Sequence, residues 1–486
     1  MHIEHQDRGS IRYDSVLSAW REQLSQAANP ALKQQLVNRE RELLPRFTAQ
    51  YARLLELPRR TRRAMQRRWK RSLGGVALLM LLGQTPALAA TINVGGACTL
   101  VDAITAANND VATGGCSAGS GADTLGLSGN LTLTAVNTDL YGPTALPAVT
   151  SAITVEGNGA TISRASGAPD FRLFAVDSTG SLTLRKTKIT GGRLSGVDAL
   201  GGGLFNNVGE LTIIDSTVSG NAVTSDSGDG GGIATRSTSE QVSLTLINST
   251  VADNTAGDLG GGINFRSFGK LTVDKSTISG NSARDGVGLL HIGDNSAISN
   301  STISGNSSSG YGGSGGLLHG GTLTLTSTTV SNNSAAGMYG VGGVAAFAGG
   351  TLTLTNSTIT GNSAPNSGAG GLAGSTIILN RTLVSGNQGP LAAELFTYEG
   401  DSGVNASNFN IFGHSGLTNV QAFSSNFVPS GGDITATSDG TTPTPLSAIL
   451  NTTLANNGGL PRPMRSSPAV RRSMRWAPVV RRPILI

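Results

Sequence analysis

Residues 352–362 read LTLTNSTITGN. Leu352 and Leu354 alternate with Thr353 and Thr355, so one face of the segment is apolar and the other polar, the period-two mark of a half-buried strand. Asn356-Ser357 interrupts the alternation at a bend, Thr358-Ile359-Thr360 resumes it, and Gly361-Asn362 turns the chain. Gly370-Gly371-Leu372 then opens a third short strand. The string recurs as LTIIDSTVSGN ending at Asn221, LTLINSTVADN at Asn254, LTVDKSTISGN at Asn281 and AISNSTISGN at Asn306. Further copies are LTLTSTTVSNN at Asn333 and IILNRTLVSGN at Asn387, and a degenerate one, LTLRKTKITGG, has Gly192 where the Asn would stand. The terminal Asn residues are spaced 33, 27, 25, 27, 29 and 25 apart, with a glycine cluster and an apolar pair in each interval.

Three short strands per repeat cannot bury their apolar face alone, but stacking one repeat on the next does. Neighbouring coils would pair in parallel about 4.8 Å apart, and parallel crossovers are right-handed in nearly all proteins. The expectation is an all-β chain, a single-stranded right-handed parallel β-helix. Asn221, Asn254, Asn281, Asn306, Asn333, Asn362 and Asn387 would form a structural ladder of amides along the axis. Asn248, Asn300 and Asn356 fit the N-x-[ST] glycosylation pattern, here a by-product of the repeat.

Composition agrees with a fold that grows in one dimension. The chain has 486 residues with Gly 68, aromatic 4% and charged 13%, past the ~250–300 residues at which one compact core stops growing. Collagen is excluded, because no Gly-X-Y period accompanies the 17 prolines. Charge is segregated. Residues 1–90 hold 16 Lys+Arg against 7 Asp+Glu, residues 91–460 hold 12 against 23, and residues 461–486 hold seven Arg and no acid. The acidic bulk argues against nucleic acid as a partner.

The ends read differently from the repeats. Residues 1–64 form a basic lead with a helical pattern at Val16, Trp20 and Leu24 and again from Leu43 to Leu55. Residues 65–89 form a signal peptide: a basic run, the apolar stretch Leu73–Leu82, and Ala87-Leu88-Ala89 before the cut. Met65 alone would begin an ordinary signal, so the lead is either an over-long gene start or a cytosolic segment that tunes export. The apolar stretch is short for a ~30 Å bilayer; the chain meets a membrane only through this segment, if uncleaved. Residues 90–150 form an N-terminal cap, where Thr99 would N-cap a helix presenting Leu100, Ala103, Ile104 and Ala107 on one face. Cys98 and Cys116 flank that helix, and in an exported protein they would form one disulfide. Residues 151–400 form the coils and 401–460 a C-terminal end. Residues 461–486 are a basic tail: either a frameshifted ending, since a shifted reading yields PTHALVAGSPAVDAV, or a genuine segment that binds anionic surface polymer.

The string Cys98-Thr99-Leu100-Val101-Asp102-Ala103-Ile104, followed by Ala106-Ala107-Asn108 and GCSAGSGADTL, resembles a bacterial N-terminal segment named for its C-S-L-R-E-A pattern. Thr, Val and Asp replace Ser, Arg and Glu of that pattern. The repeats are similar to right-handed β-helix surface proteins, including polymorphic outer-membrane proteins and the pectate-lyase-like superfamily. Residues 404–459 resemble the ending of proteins with a choice of C-terminal surface anchors. The resemblance is specific for architecture and loose for activity.

Chemistry-bearing residues are sparse. Asp229, Asp258 and Asp285 stand beside successive glycine clusters, with Asp226 and Arg284 near in sequence, so adjacent rungs would bring three carboxylates toward a Ca²⁺ site. The competing reading is solvated turn aspartates. His291 and His319 follow identical Gly-Leu-Leu triplets and are expected to stack at an exposed ladder position. No catalytic residue or cofactor-binding motif is assigned; the P-loop, Cys-x-x-Cys, H-E-x-x-H and G-x-S-x-G patterns do not occur. Outward Thr and Ser give a hydroxyl-rich flank. The sequence therefore points to an exported, cell-surface or extracellular, non-catalytic structural or adhesion protein whose partners are cell-envelope, host or environmental glycans. The alternative is a polysaccharide lyase or glycoside hydrolase of the pectate-lyase-like type.

Overall fold

The computed structural model describes residues 90–237, 242–397, 403–413 and 417–424, positions 427, 429 and 432–435, and the short strands Leu450–Asn451 and Arg465–Ser466. The basic lead, the signal segment and most of the tail lie outside the described residues. Among those described, no helix is long and apolar enough to cross a membrane.

The described residues between 90 and 435 wind into a parallel β-solenoid of about 10 turns. Three sheets of 17, 12 and 6 strands run along it among the described residues. The register is strict: Leu182, Leu211, Leu244 and Leu271 pair in sequence across four coils, and all are 0% exposed. Thr183, Thr212, Thr245 and Thr272 alternate with them on the outer face. Because the period is two, a slip of one residue would turn the whole leucine column outward. One buried cluster runs from Ile92 to Phe427. Each fully buried Leu, Ile or Val in it stabilises the fold by about 1.5–3 kcal/mol, a gain that exists only once the next coil is in place.

The bend after the first strand has one conformation in every coil. Lys186, Asp215, Asn248, Lys275, Asn300, Ser327, Asn356 and Arg381 there all have φ between 46° and 52°. The residue that follows turns a hydroxyl inward. Ser216 Oγ donates to the Ile214 carbonyl at 2.7 Å and accepts the Thr187 N–H of the previous coil at 3.0 Å. Asx and hydroxyl residues thus close the corner locally, as the Asn356-Ser357 reading implies.

Two details depart from the sequence reading. A short strand follows Gly192 and each of the ladder residues Asn221, Asn254, Asn281, Asn306 and Asn333, as at Ala222–Val223 and Thr255–Ala256, and these strands form the six-stranded sheet. From Leu289 onward the third strand also runs directly into the next coil, giving the continuous strands Leu289–Ser299, Leu317–Thr326, Val344–Thr355 and Leu372–Asn380. Earlier coils keep a connection between the two, as between Leu204–Asn206 and Glu210–Ile214.

The N-terminal end is closed by α1, Leu100–Asn109, whose Thr99 cap accepts the Asp102 N–H at 3.1 Å. Leu100, Ala103, Ile104, Ala106 and Ala107 are its buried face, which covers the open edge of the first coil. Cys98 and Cys116 are disulfide-bonded across it, with Cα atoms 4.6 Å apart. Parallel pairing continues past residue 400, since Leu383 pairs Ile411 and Ile411 pairs Ile434. Phe412 meets Phe427 and Phe423 there with ring centroids 5.3 and 5.5 Å apart.

Candidate functional site

Most of the polar groups singled out in the sequence are used to hold the coils together. Each ladder Asn donates Nδ2 to the Oδ1 of the next: Asn221 to Asn254 at 3.0 Å, Asn281 to Asn306 at 2.9 Å, Asn306 to Asn333 at 2.8 Å, Asn362 to Asn387 at 2.9 Å. The same Oδ1 also accepts the backbone N–H of the preceding Asn, as Asn333 Oδ1 does from Asn306 at 3.0 Å. At the start, where Gly192 replaces Asn, its N–H still donates to Asn221 Oδ1 at 3.0 Å. At the far end Glu394 takes the place of a further amide. It accepts from Gly386 N at 2.7 Å and from Asn387 Nδ2 at 2.6 Å, and is 0% exposed. Burial pushes its carboxyl up to about 8, against the lowering effect of those hydrogen bonds, so it sits protonated at neutral pH.

The ladder also explains the glycine before each apolar residue. A Cβ on Gly288 would stand 2.8 Å from Asn306 Nδ2, and one on Gly371 2.9 Å from Asn387 Nδ2. In the last such triplet, Ala393-Glu394-Leu395, Glu394 aligns with Gly371, because Leu395 pairs Leu372.

His291 and His319 stack, but inside the protein. Both are 0% exposed, with ring centroids 5.2 Å apart and Nδ1 atoms 3.0 Å apart. The exposed position expected for them is therefore corrected: each lies two residues beyond an inward leucine, Leu289 or Leu317, and so shares its face. Phe265 continues the stack at 5.7 Å, and Ser296 Oγ lies 2.7 Å from His291 Nε2. Burial, then the neighbouring His319, lowers His291 to about 3. The pair is core.

Asp229, Asp258 and Asp285 do fall on one edge of adjacent coils. The Asp258 N–H donates to Gly228 O at 2.9 Å, and the Asp285 N–H to Asp258 O at 2.8 Å. Their side chains are engaged by arginines. Arg284 forms an ion pair with Asp258 and stands 3.7 Å from Asp285. Asp229 accepts the Leu259 N–H at 3.1 Å and lies 3.8 Å from Arg266. Among the described residues no group of three or more His, Cys, Asp or Glu side chains converges as a metal centre would need. Arg284 thus faces both Asp258 and Asp285, and Arg266 lies beside Asp229, where the carboxylates were expected to hold Ca²⁺.

That edge instead carries a groove. A cavity of about 250 Å³ is lined by Asp229, Asp258, Arg236, Arg266, Thr235 and Asn264, among others. Burial, then the charge of Asp258, raises Asp229 to about 6. Asn264 Oδ1 and Thr235 Oγ1 are buried without a hydrogen-bond partner; the two residues are 2% and 1% exposed. A second cavity of about 420 Å³ adjoins it, sharing Asp198, Leu200 and Arg236, and is walled by Tyr141, Arg172 and Phe205. Sequence reasoning missed these groups. The signal was present, since IATR and INFR follow equivalent glycine triplets and place Arg236 in register with Arg266.

A model of the right handed beta helix region matches residues 151–428. The chain belongs to the right-handed β-helix family. Among solved structures, this β-helix is similar to the pectate lyase Pel9A at 14% identity and a TM-score of 0.34, covering 70% of this chain and 80% of that one. That likeness is too slight to bear on activity. No curated protein matches the chain.

Proposed function

We propose that this β-helix is an exported surface protein that binds glycan in the groove at Asp229, Asn264 and Arg236, without catalysis. One observation carries the reading: Asn264 Oδ1 and Thr235 Oγ1 are buried and unpartnered beneath the groove. An unmade buried hydrogen bond costs about 1–3 kcal/mol, and sugar hydroxyls, which both donate and accept, match such groups. Mixed arginine and aspartate walls, with the aromatic rings of Tyr141 and Phe205 alongside, suit a polyhydroxylated chain. The Cys98–Cys116 bridge supports export, because disulfides persist in oxidising compartments. Binding of the chain to an immobilised polysaccharide panel tests the reading. Retention on at least one glycan, lost in Asn264→Leu with unchanged circular dichroism, is expected; no retention on any glycan would refute it.

A second reading has its own support. A carboxyl raised to about 6 beside an ion-paired carboxylate on the next rung, Asp229 and Asp258, resembles the acid and base of a glycoside hydrolase. New reducing ends appearing in the same panel, and absent with Asp229→Asn, would replace binding with hydrolysis.

A further inference from the structure

The larger cavity contains a charge that the chain itself does not neutralise. Arg172 is 2% exposed. Its hydrogen bonds run to neutral acceptors: the carbonyls of Tyr141, of Leu200 at 3.1 Å and of Gly201 at 3.4 Å, and Thr144 Oγ1 at 3.4 Å. Nη2 has no partner among the described residues, and it faces Gly142 in the cavity wall, where an added Cβ would lie 3.7 Å away. The guanidinium rests over the Phe205 ring at 5.1 Å, and Tyr141 meets that ring edge-on at 5.7 Å. Desolvation lowers Arg172 to about 10. Carbonyl and hydroxyl dipoles and the Phe205 ring, with no carboxylate, compensate a cation whose burial costs several kcal/mol.

None of the other charges around the cavity forms an ion pair with Arg172 or Arg236 among the described residues. Asp170 is held by Arg193 at 3.3 Å. Asp177 accepts the Tyr141 hydroxyl at 2.6 Å. Asp198 and Arg236 both stand at the junction with the smaller cavity, and Arg236 has no ion pair among the described residues. Arg172 and Arg236 therefore both line this cavity without an ion pair of their own among the described residues.

We infer that the cavity between Arg172 and Arg236 is an anion subsite, which takes the carboxylate or sulfate group of an acidic sugar while the neighbouring Asn264 cavity takes hydroxyls. Guanidinium groups suit this role, because their fixed fork of donors matches a planar or tetrahedral oxyanion. The inference rests on the glycan-binding reading and adds the class of sugar.

Titration calorimetry with two pairs of hexasaccharides tests it: an alginate hexamer against its methyl ester, and a sulfated galactan hexamer against the unsulfated parent. At least one acidic member should bind at least tenfold tighter than its neutral partner, and the tighter arm names the anion. Arg236→Gln, at an exposed position, should remove that preference. Arg172→Met should do the same where its melting temperature shows it folded. Equal binding of acidic and neutral members, or a preference that survives Arg236→Gln, would overturn the inference and leave the groove reading standing. Failure of all four to bind would overturn both.

Discussion

Replacing Asn306 by Ala removes four hydrogen bonds from the middle of the ladder. Its Nδ2 donates to Asn333 Oδ1 at 2.8 Å and to Ile278 O at 3.1 Å, and its Oδ1 accepts Asn281 N at 3.0 Å and Asn281 Nδ2 at 2.9 Å. The site is 0% exposed, so water does not replace them. The Asn281 N–H is left unpartnered, at about 1–3 kcal/mol, and the remaining lost bonds contribute about 1 kcal/mol each where no other partner compensates. A loss of about 2–5 kcal/mol is expected. Asn356 supplies the contrast: it is exposed at the bend with φ 52°, a conformation glycine adopts freely, so Asn356→Gly should change stability by less than about 0.5 kcal/mol. Urea unfolding followed by circular dichroism measures both. Equal, small effects of the two substitutions would refute the argument that the inward amides hold the coils in register.

Two buried titrating groups give opposite pH dependences. Glu394 is raised from 4.5 to about 8 by burial, so between those values the folded chain binds the proton and the unfolded chain does not. Its contribution to stability is therefore lost as pH rises through that window, by at most about 1.4 kcal/mol per unit, and Glu394→Gln should flatten the slope of urea midpoints between pH 5 and 8. His291 is lowered from 6.5 to about 3, so the unfolded chain gains the proton first and stability falls as pH drops through that range. His291→Phe, which extends the Phe265 stack, should reduce the loss in melting temperature between pH 7 and pH 4; an unchanged loss would show that the imidazole is not its source.

The coil was legible because its constraints are local and repeat. Leu271 and Val273 alternate with Thr272 and Asp274, Asn248 and Asn356 sit where φ must be positive, and Gly280-Asn281 marks the turn. Even the exceptions follow the chemistry: Asp253 and Asn332 replace the turn glycine at φ 55°, and Asp and Asn tolerate that region best among side chains. Glu394 was not legible as the ladder's end, because nothing in Ala-Glu-Leu signals that the second glycine of earlier triplets has become the terminal acceptor. His291 and His319 were misjudged by composition rather than pattern: histidine suggests solvent, while the count from Leu289 puts it inside. The groove depends on Tyr141, Arg172, Arg236 and Asn264, which four separate coils bring together. Their register was readable only in part, through the aligned Arg236 and Arg266.

Cysteine cross-linking across the rungs tests the stacked architecture itself. Thr245 and Thr272 are 27 residues apart in sequence and directly paired on the outer face, so their Cα atoms stand about 4.8 Å apart, within disulfide reach. Thr212 and Thr272 are two rungs apart, about 9.6 Å, beyond it. Thr245→Cys with Thr272→Cys should close an intramolecular disulfide under mild oxidation, and Thr212→Cys with Thr272→Cys should not. Failure of the first pair, or equal closure of both, would contradict a parallel coil stacked in this register.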